Sequence, residues 1–467
     1  MESRAIALVF SVLCLSLLRA TRATSAGTAD GTERWGYVEV RPKAHLFWWY
    51  YKSPHRVSTP TKPWPTVVWL QGGPGASGVG LGNFLEIGPL DGKLKPRNST
   101  WLQKADLIFV DNPVGVGYSY VEDDSLLVTT DLEAASDMTT LLKALVKELP
   151  TLQQGSPLFL VAESYGGKYA ATLGVSVVRA VRAGELKLTL GGVALGDSWI
   201  SPEDFASSYG TLLLEVSRLD SNGAEHADKD AQVVRQQIAA GQYRQAQITL
   251  SRMLNWIVVH SGHVDVYNFL LDAGMDPVAD ASAASSTSAP EYSRYLESKS
   301  VGDTIEGAMN GAIKKKLKII PKDLVWQAQS YTVYYALIND FMKPRIEEVD
   351  ELLSYGVNVT VYNGQGKKYS SGQKRILDMC SDVLKTSGYC GVALTPWIHL
   401  HRGREGRHEA SPAHGLLLRF NYPTSVSCLC FVRFFRLIWT FSGHDKLGYL
   451  SASQKDNFLF SAWVSVR

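Results

Sequence analysis

Five cysteines serve 467 residues, and none lies between Cys14 and Cys380. The bulk of the chain is therefore no disulfide scaffold and must be held by a buried apolar core. Charge is nearly balanced, 47 Lys and Arg against 45 Asp and Glu, a net of +2. That excludes a general affinity for nucleic acid or acidic membranes. Long apolar runs are missing too. Ala5 to Leu18 falls short of the ~20 residues a spanning helix needs. The aromatic run Phe431 to Phe441 is broken by Arg433 and Arg436. No glycine-rich stretch ends in Gly-Lys-Ser/Thr, so a phosphate-binding loop is not expected. No metal or cofactor is expected either.

What is present begins with a leader. Arg4, the apolar Ala5 to Leu18 and the small residues from Ala20 to Ala26 read as a signal segment over 1–26. The implied route is secretory. Asn98-Ser-Thr100 and Asn358-Val-Thr360 are glycosylation acceptors consistent with that route.

Strand signals follow at Trp35 to Tyr51, with a turn at Pro42-Lys43, and at Thr66 to Leu70, Asp106 to Val110, Leu158 to Ala162, Leu186 to Leu195 and Val357 to Tyr362. Helical periodicity runs from Thr129 to Leu149, with Asp131 as expected N-cap and Pro150 just past the end. Strands alternating with helices predict an α/β fold with a mostly parallel sheet. The first part of the core is expected over 27–202. From 203 to 346 helical stretches take over, at Gln232 to Ala239, Tyr243 to Val259, Val264 to Asp272 and Lys322 to Asp340. This reads as a helical insertion, with a flexible Ser/Ala-rich piece at Ala279 to Pro290 and a solvated patch at Lys314-Lys-Lys316. The last recognisable core strand falls within 347–365. The tail, 366–467, has no clear period and is expected to pack poorly; it holds Cys380, Cys390, Cys428 and Cys430, whose pairing stays open.

The chemistry starts at Leu158-Phe-Leu-Val-Ala-Glu-Ser-Tyr-Gly-Gly-Lys-Tyr-Ala171. A β-prone run reaches Ser164, flanked at two residues by Ala162 and Gly166, and passes into an apolar run with few breakers. Only small residues fit beside the apex of a strand that turns straight into a helix. Such a turn exposes the serine hydroxyl beside the first helical N–H groups. This resembles the nucleophile elbow of the α/β-hydrolases, with Ala162 where glycine is usual. Upstream, Gln71-Gly-Gly-Pro-Gly-Ala-Ser-Gly78 follows a strand, as does the hydrolase loop that gives a second oxyanion N–H.

The motifs Trp69-Leu-Gln-Gly-Gly-Pro-Gly75, Glu86-Ile-Gly-Pro89, Asp111-Asn-Pro-Val-Gly-Val-Gly-Tyr-Ser119, Glu163-Ser-Tyr-Gly-Gly167 and Gly196-Asp-Ser-Trp199 together resemble the serine carboxypeptidases of the α/β-hydrolase fold. The resemblance spans roughly 30–365. It implies Ser164 as nucleophile, the N–H groups of Gly73 and Tyr165 as oxyanion hole, and Gln71, Glu86 and Glu163 as the site for a substrate's terminal carboxylate. The family usually has Asn where Gln71 stands. Two carboxyl groups beside a substrate carboxylate cannot all stay ionised, which implies acid-favoured binding of peptides with a free C-terminus, suited to a secreted or lysosomal enzyme. Esterases and acyltransferases share the fold and the elbow. Glu86 and Glu163 favour the peptidase, because a carboxylate site is useless to an ester without one.

One departure is large. The family's triad Asp lies three residues past the Asn-Gly that ends the last strand, and here Lys367 stands there. The family's Gly-His-Met-Val-Pro is absent as well. Gly443-His444 echoes it, but Asp445-Lys446-Leu447 follows, which leaves His444 as the candidate substitute base and Asp378 and Asp382 as the nearest acids. A serine without a base stays protonated and weakly nucleophilic. An impaired enzyme, or a non-catalytic peptide-binding protein, is therefore expected of this chain.

Overall fold

A computed structural model of the chain describes residues 23–59, 62–273 and 305–365, and the backbones of 390–396 and 462–466. Residues 1–22 of the expected leader, the segment 279–290, Lys367, Asp378, Cys380, Asp382, Cys428, Cys430 and His444 lie outside the described residues; residues 23–26, expected in the leader, belong instead to a strand that pairs in the sheet.

Strands β1 (Ala23–Gly27), β2 (Glu33–Arg41), β3 (Ala44–Tyr51), β4 (Thr66–Leu70), β5 (Asp106–Val110), β6 (Tyr120–Val121), β7 (Leu158–Glu163), β8 (Leu190–Gly196), β9 (Val359–Gln365), β10 (Cys390–Pro396) and β11 (Ala462–Val466) form one mixed sheet. Its order is β1-β2-β3-β5-β4-β7-β8-β9-β10-β11, with β6 on β3. Pairing is parallel from β5 through β10 and antiparallel outside them. This is the α/β-hydrolase fold.

Side-chain alternation builds a core on each face. Val68, Leu70, Ile108 and Val110 point to one core, and Val67, Trp69, Leu107 and Phe109 to the other. Helices α1 (Asp131–Glu148), α2 (Gly166–Arg182) and α7 (Ile346–Ser354) cover the first core. A wide helix, Gly78–Ile87, and the chain around 305–328 cover the second. The insertion holds α3 (Pro202–Glu215), α4 (Ser221–Ala239), α5 (Tyr243–His260) and α6 (Tyr331–Ala336), and α3 to α5 enclose a core of their own.

Several boundaries differ from expectation. The cap of α1 is Thr130, not Asp131. Thr130 and Glu133 close a reciprocal capping box, which frees the Asp131 carboxylate for a buried ion pair. Residues 264–272 are not helical: the Asp265 carboxylate accepts the N–H groups of Tyr267 and Asn268, and Val264 bridges to Asp272. Of 322–340 only α6 is helical. There the backbone bonds to the glycine loop instead of to itself, Ser77 N–H donating to Ala328 O at 3.0 Å and Ser330 N–H to Gly75 O at 2.8 Å. The lysine patch does face solvent, with Lys315 and Lys316 exposed; Lys314 also donates to Lys322 O and Leu324 O, and Lys316 pairs with Glu33 at the surface. β8 starts at Leu190, and the sheet continues beyond 365 through β10 and β11, where the pattern gives no strand.

Candidate active site

β7 ends at Glu163 and α2 begins at Gly166, so Ser164 sits at a strand–helix turn. Its φ of 56° is in the left-handed region, a strained state for a residue with a Cβ. Neighbouring backbone holds it there. Ser164 N–H donates to Gly196 O at 2.9 Å, and its carbonyl accepts from Gly167 N–H at 3.0 Å and Trp199 N–H at 2.9 Å. A Cβ on Gly166 would lie 2.1 Å from Leu70 O, so the turn is pressed against the end of β4. The loop that leaves β4 there is the glycine-rich one. Tyr165, as N-cap, contributes one of the helix's first N–H groups, which have no carbonyl inside the helix.

Gly73 has φ 113°, open only to glycine, and precedes a cis proline. Its loop is pinned from the insertion, Gln329 Nε2 donating to Pro74 O at 2.7 Å. Behind it, buried Asp111 accepts from Ser77 Oγ (2.5 Å), Val79 N–H (3.0 Å) and Tyr118 N–H (2.8 Å). Burial pushes the Asp111 carboxyl up to about 6, against the pull of those three donors.

Gln71, Glu86 and Glu163 come together. Trp69 Nε1–H donates to Gln71 Oε1 at 2.7 Å, which fixes the amide so that Nε2 faces the acids. Nε2 donates to Glu86 Oε1 at 3.1 Å and to Glu163 Oε2 at 3.3 Å. Tyr362 of β9 borders this cluster: its hydroxyl donates to Ala162 O at 3.3 Å. Burial and then the nearby Glu163, Asp197 and Glu86 hold that phenol well above its usual range. Asn98 and Asn358 are both exposed, Asn358 just before β9.

The model of the family described as serine carboxypeptidase matches residues 24–368. The chain belongs to the serine carboxypeptidase family. Membership of that family places it among the hydrolases. Serine carboxypeptidase-like 51 of Arabidopsis thaliana is 58% identical over 349 residues, 72% of this chain and 76% of the relative. The retinoid-inducible serine carboxypeptidase of Mus musculus is 44% identical over 370 residues, 76% of this chain and 79% of that one. A solved structure of Kex1(delta)p, a prohormone-processing carboxypeptidase from Saccharomyces cerevisiae, matches in fold with a TM-score of 0.58 at 20% identity, covering 81% of this chain and 83% of that one. Among the described residues of this family member, no helix is long and apolar enough to cross a membrane, and no three His, Cys, Asp or Glu side chains are grouped to hold a metal.

Sequence reasoning named the groups of this site but missed their supports. Gln329 lies far along the chain from Pro74 and carries no motif. Lys168, Asp340 and Arg345 gave no local signal. Asp131 was visible only as a helix-start residue.

Proposed function

We propose that the chain is built to release C-terminal residues from peptides by acyl transfer to Ser164 at acid pH. The observation that carries this reading is the Gln71 amide bridging Glu86 and Glu163 at 3.1 and 3.3 Å, at the carboxyl ends of β4 and β7, where Ser164 follows Glu163. In this reading the trio takes the terminal carboxylate, one proton being shared among the three carboxyl groups then present. The scissile carbonyl oxygen rests on the N–H groups of Gly73 and Tyr165. Ser164 Oγ attacks the carbonyl carbon as its proton leaves to a base. The C–N bond breaks, the amine takes a proton, and water then cleaves the ester.

The base is the weak point. By the family resemblance Lys367 stands at the triad Asp position and the His motif is absent, so this reading expects slow hydrolysis and retained peptide binding. His444 is the candidate substitute. A non-catalytic role in holding peptide C-termini is the second reading, favoured by Lys367. The leader and the exposed Asn98 and Asn358 support entry into the secretory route with glycans at both sites. The test is incubation of the purified protein with a fluorophosphonate probe and, separately, a blocked dipeptide at pH 5. Binding of the dipeptide with slow hydrolysis and weak labelling supports acyl transfer at Ser164. Binding with neither supports the non-catalytic reading, and absence of binding sinks both.

A further inference from the structure

Four charged side chains are buried beside the turn that carries Ser164, and the proposed chemistry uses none of them. Lys168 Nζ lies 3.3 Å from Asp131 Oδ2, both side chains wholly buried. Arg345 Nε lies 2.8 Å from the same oxygen, and its Nη2 2.5 Å from Asp340 Oδ2. Asp340 Oδ2 also accepts Asp131 N–H at 2.9 Å. Two cations and two carboxylates balance, with Glu348 3.1 Å from Arg345 at the edge. Burial favours the neutral forms and prevails in direction at Asp340, whose carboxyl is raised, and at Lys168, whose ammonium is lowered, whereas Lys168 and Arg345 overcome it at Asp131, whose carboxyl is held below its usual range.

Buried ion groups are poor stabilisers. Desolvation consumes most of the attraction, and apolar replacements of similar volume are often neutral or better. What such a group does well is fix which segments meet, and in what register. Here Tyr165 and Lys168 come from the first turn of α2, Asp131 from the start of α1, and Asp340 and Arg345 from the arm that leads into α7. Tyr165 Oη–H donates to Asp131 Oδ1 at 2.8 Å. Phe341 stacks on the Tyr165 ring at 5.5 Å, and its carbonyl accepts from Lys168 Nζ at 3.0 Å and Trp199 Nε1 at 3.2 Å. Trp199 N–H in turn holds the Ser164 carbonyl. The arm thus reaches Ser164 through both Tyr165 and Trp199.

We propose that Lys168, Asp131, Asp340 and Arg345 form a positioning cluster through which the arm 340–345 sets the Ser164–Tyr165 turn. The strained φ of Ser164 requires such outside support. The cluster bears on the function proposed above through the Tyr165 N–H, but its test involves no turnover, so it stands or falls separately from the carboxypeptidase reading.

Hydrogen exchange read by mass spectrometry on the full chain is the measurement. Arg345→Met with Asp340→Asn removes one charge of each sign from the arm and touches no residue of the turn. The expected result is exchange at least about tenfold faster in the peptide spanning 160–170, with exchange in β4 and β5 unchanged. Arg345→Lys, which keeps a cation on both carboxylates, should restore most of the protection. Unchanged exchange at 160–170, or acceleration shared equally by β4 and β5, would overturn the proposal. If the double variant does not fold, Tyr165→Phe decides: it deletes one hydroxyl and leaves the charges paired. Faster exchange at 164–168 at an unchanged Tm supports the proposal, and unchanged exchange refutes it.

Discussion

At Gln71 one amide does three things: its oxygen accepts the Trp69 indole N–H and its nitrogen donates to two acids. Gln71→Leu should therefore weaken binding of a blocked dipeptide at pH 5 by roughly 10- to 100-fold, since hydrogen bonds to charged groups are worth about 1.5–3 kcal/mol. The same peptide as a C-terminal amide should lose almost nothing. Isothermal titration of both ligands checks this, and an equal loss for both would remove the carboxylate assignment. Gly166 makes a different prediction. A Cβ there would sit 2.1 Å from Leu70 O, and β4 is paired on both sides and cannot move aside. Gly166→Ala should cost about 3 kcal/mol, the upper end for overpacking, read as a lowered urea midpoint. The need for a small residue there was legible in the pentad. The atom it meets was not, because Leu70 and Gly166 are joined only by the sheet.

The strands beside the site were legible because each alternates between two cores, so period and burial agree. The insertion was less so. Helical periodicity over 322–340 lost to bonds with the glycine loop, which no local pattern records. At α1 the sequence held the right answer in Thr130-Asp-Leu-Glu133, but Asp131 was the more conspicuous cap. Two substitutions separate the roles. Thr130→Ala should cost about 1 kcal/mol, the ordinary value of a lost N-cap. Asp131→Asn should cost several times as much, roughly 3–5 kcal/mol, because it leaves buried cations short of a partner. Chemical denaturation of the two variants measures both, and equal losses would return the capping role to Asp131.

For the whole molecule, acidity enters through Asp111. Burial pushes its carboxyl up to about 6 in the folded state, from an ordinary 3.8. Between those values the folded state binds the proton more tightly, so stability falls as pH rises through this window. At about 1.4 kcal/mol per pH unit the fall is roughly 3 kcal/mol. Asp111→Asn should flatten that part of the pH–stability curve; a slope unchanged in the variant would assign it to other groups. The larger claim is that a carboxypeptidase body here lacks its base. Its most direct test is hydrolysis of a blocked dipeptide at pH 5, comparing this chain with a chimera of residues 1–365 and a family C-terminal segment carrying Asp and His. The expected result is turnover by the chimera, lost in its Ser164→Ala form, and a rate about 10⁴-fold lower or less from this chain and from Lys367→Asp, since triad members act as a unit. A rate from this chain within about tenfold of the chimera would contradict the account and make His444 the first residue to examine as base.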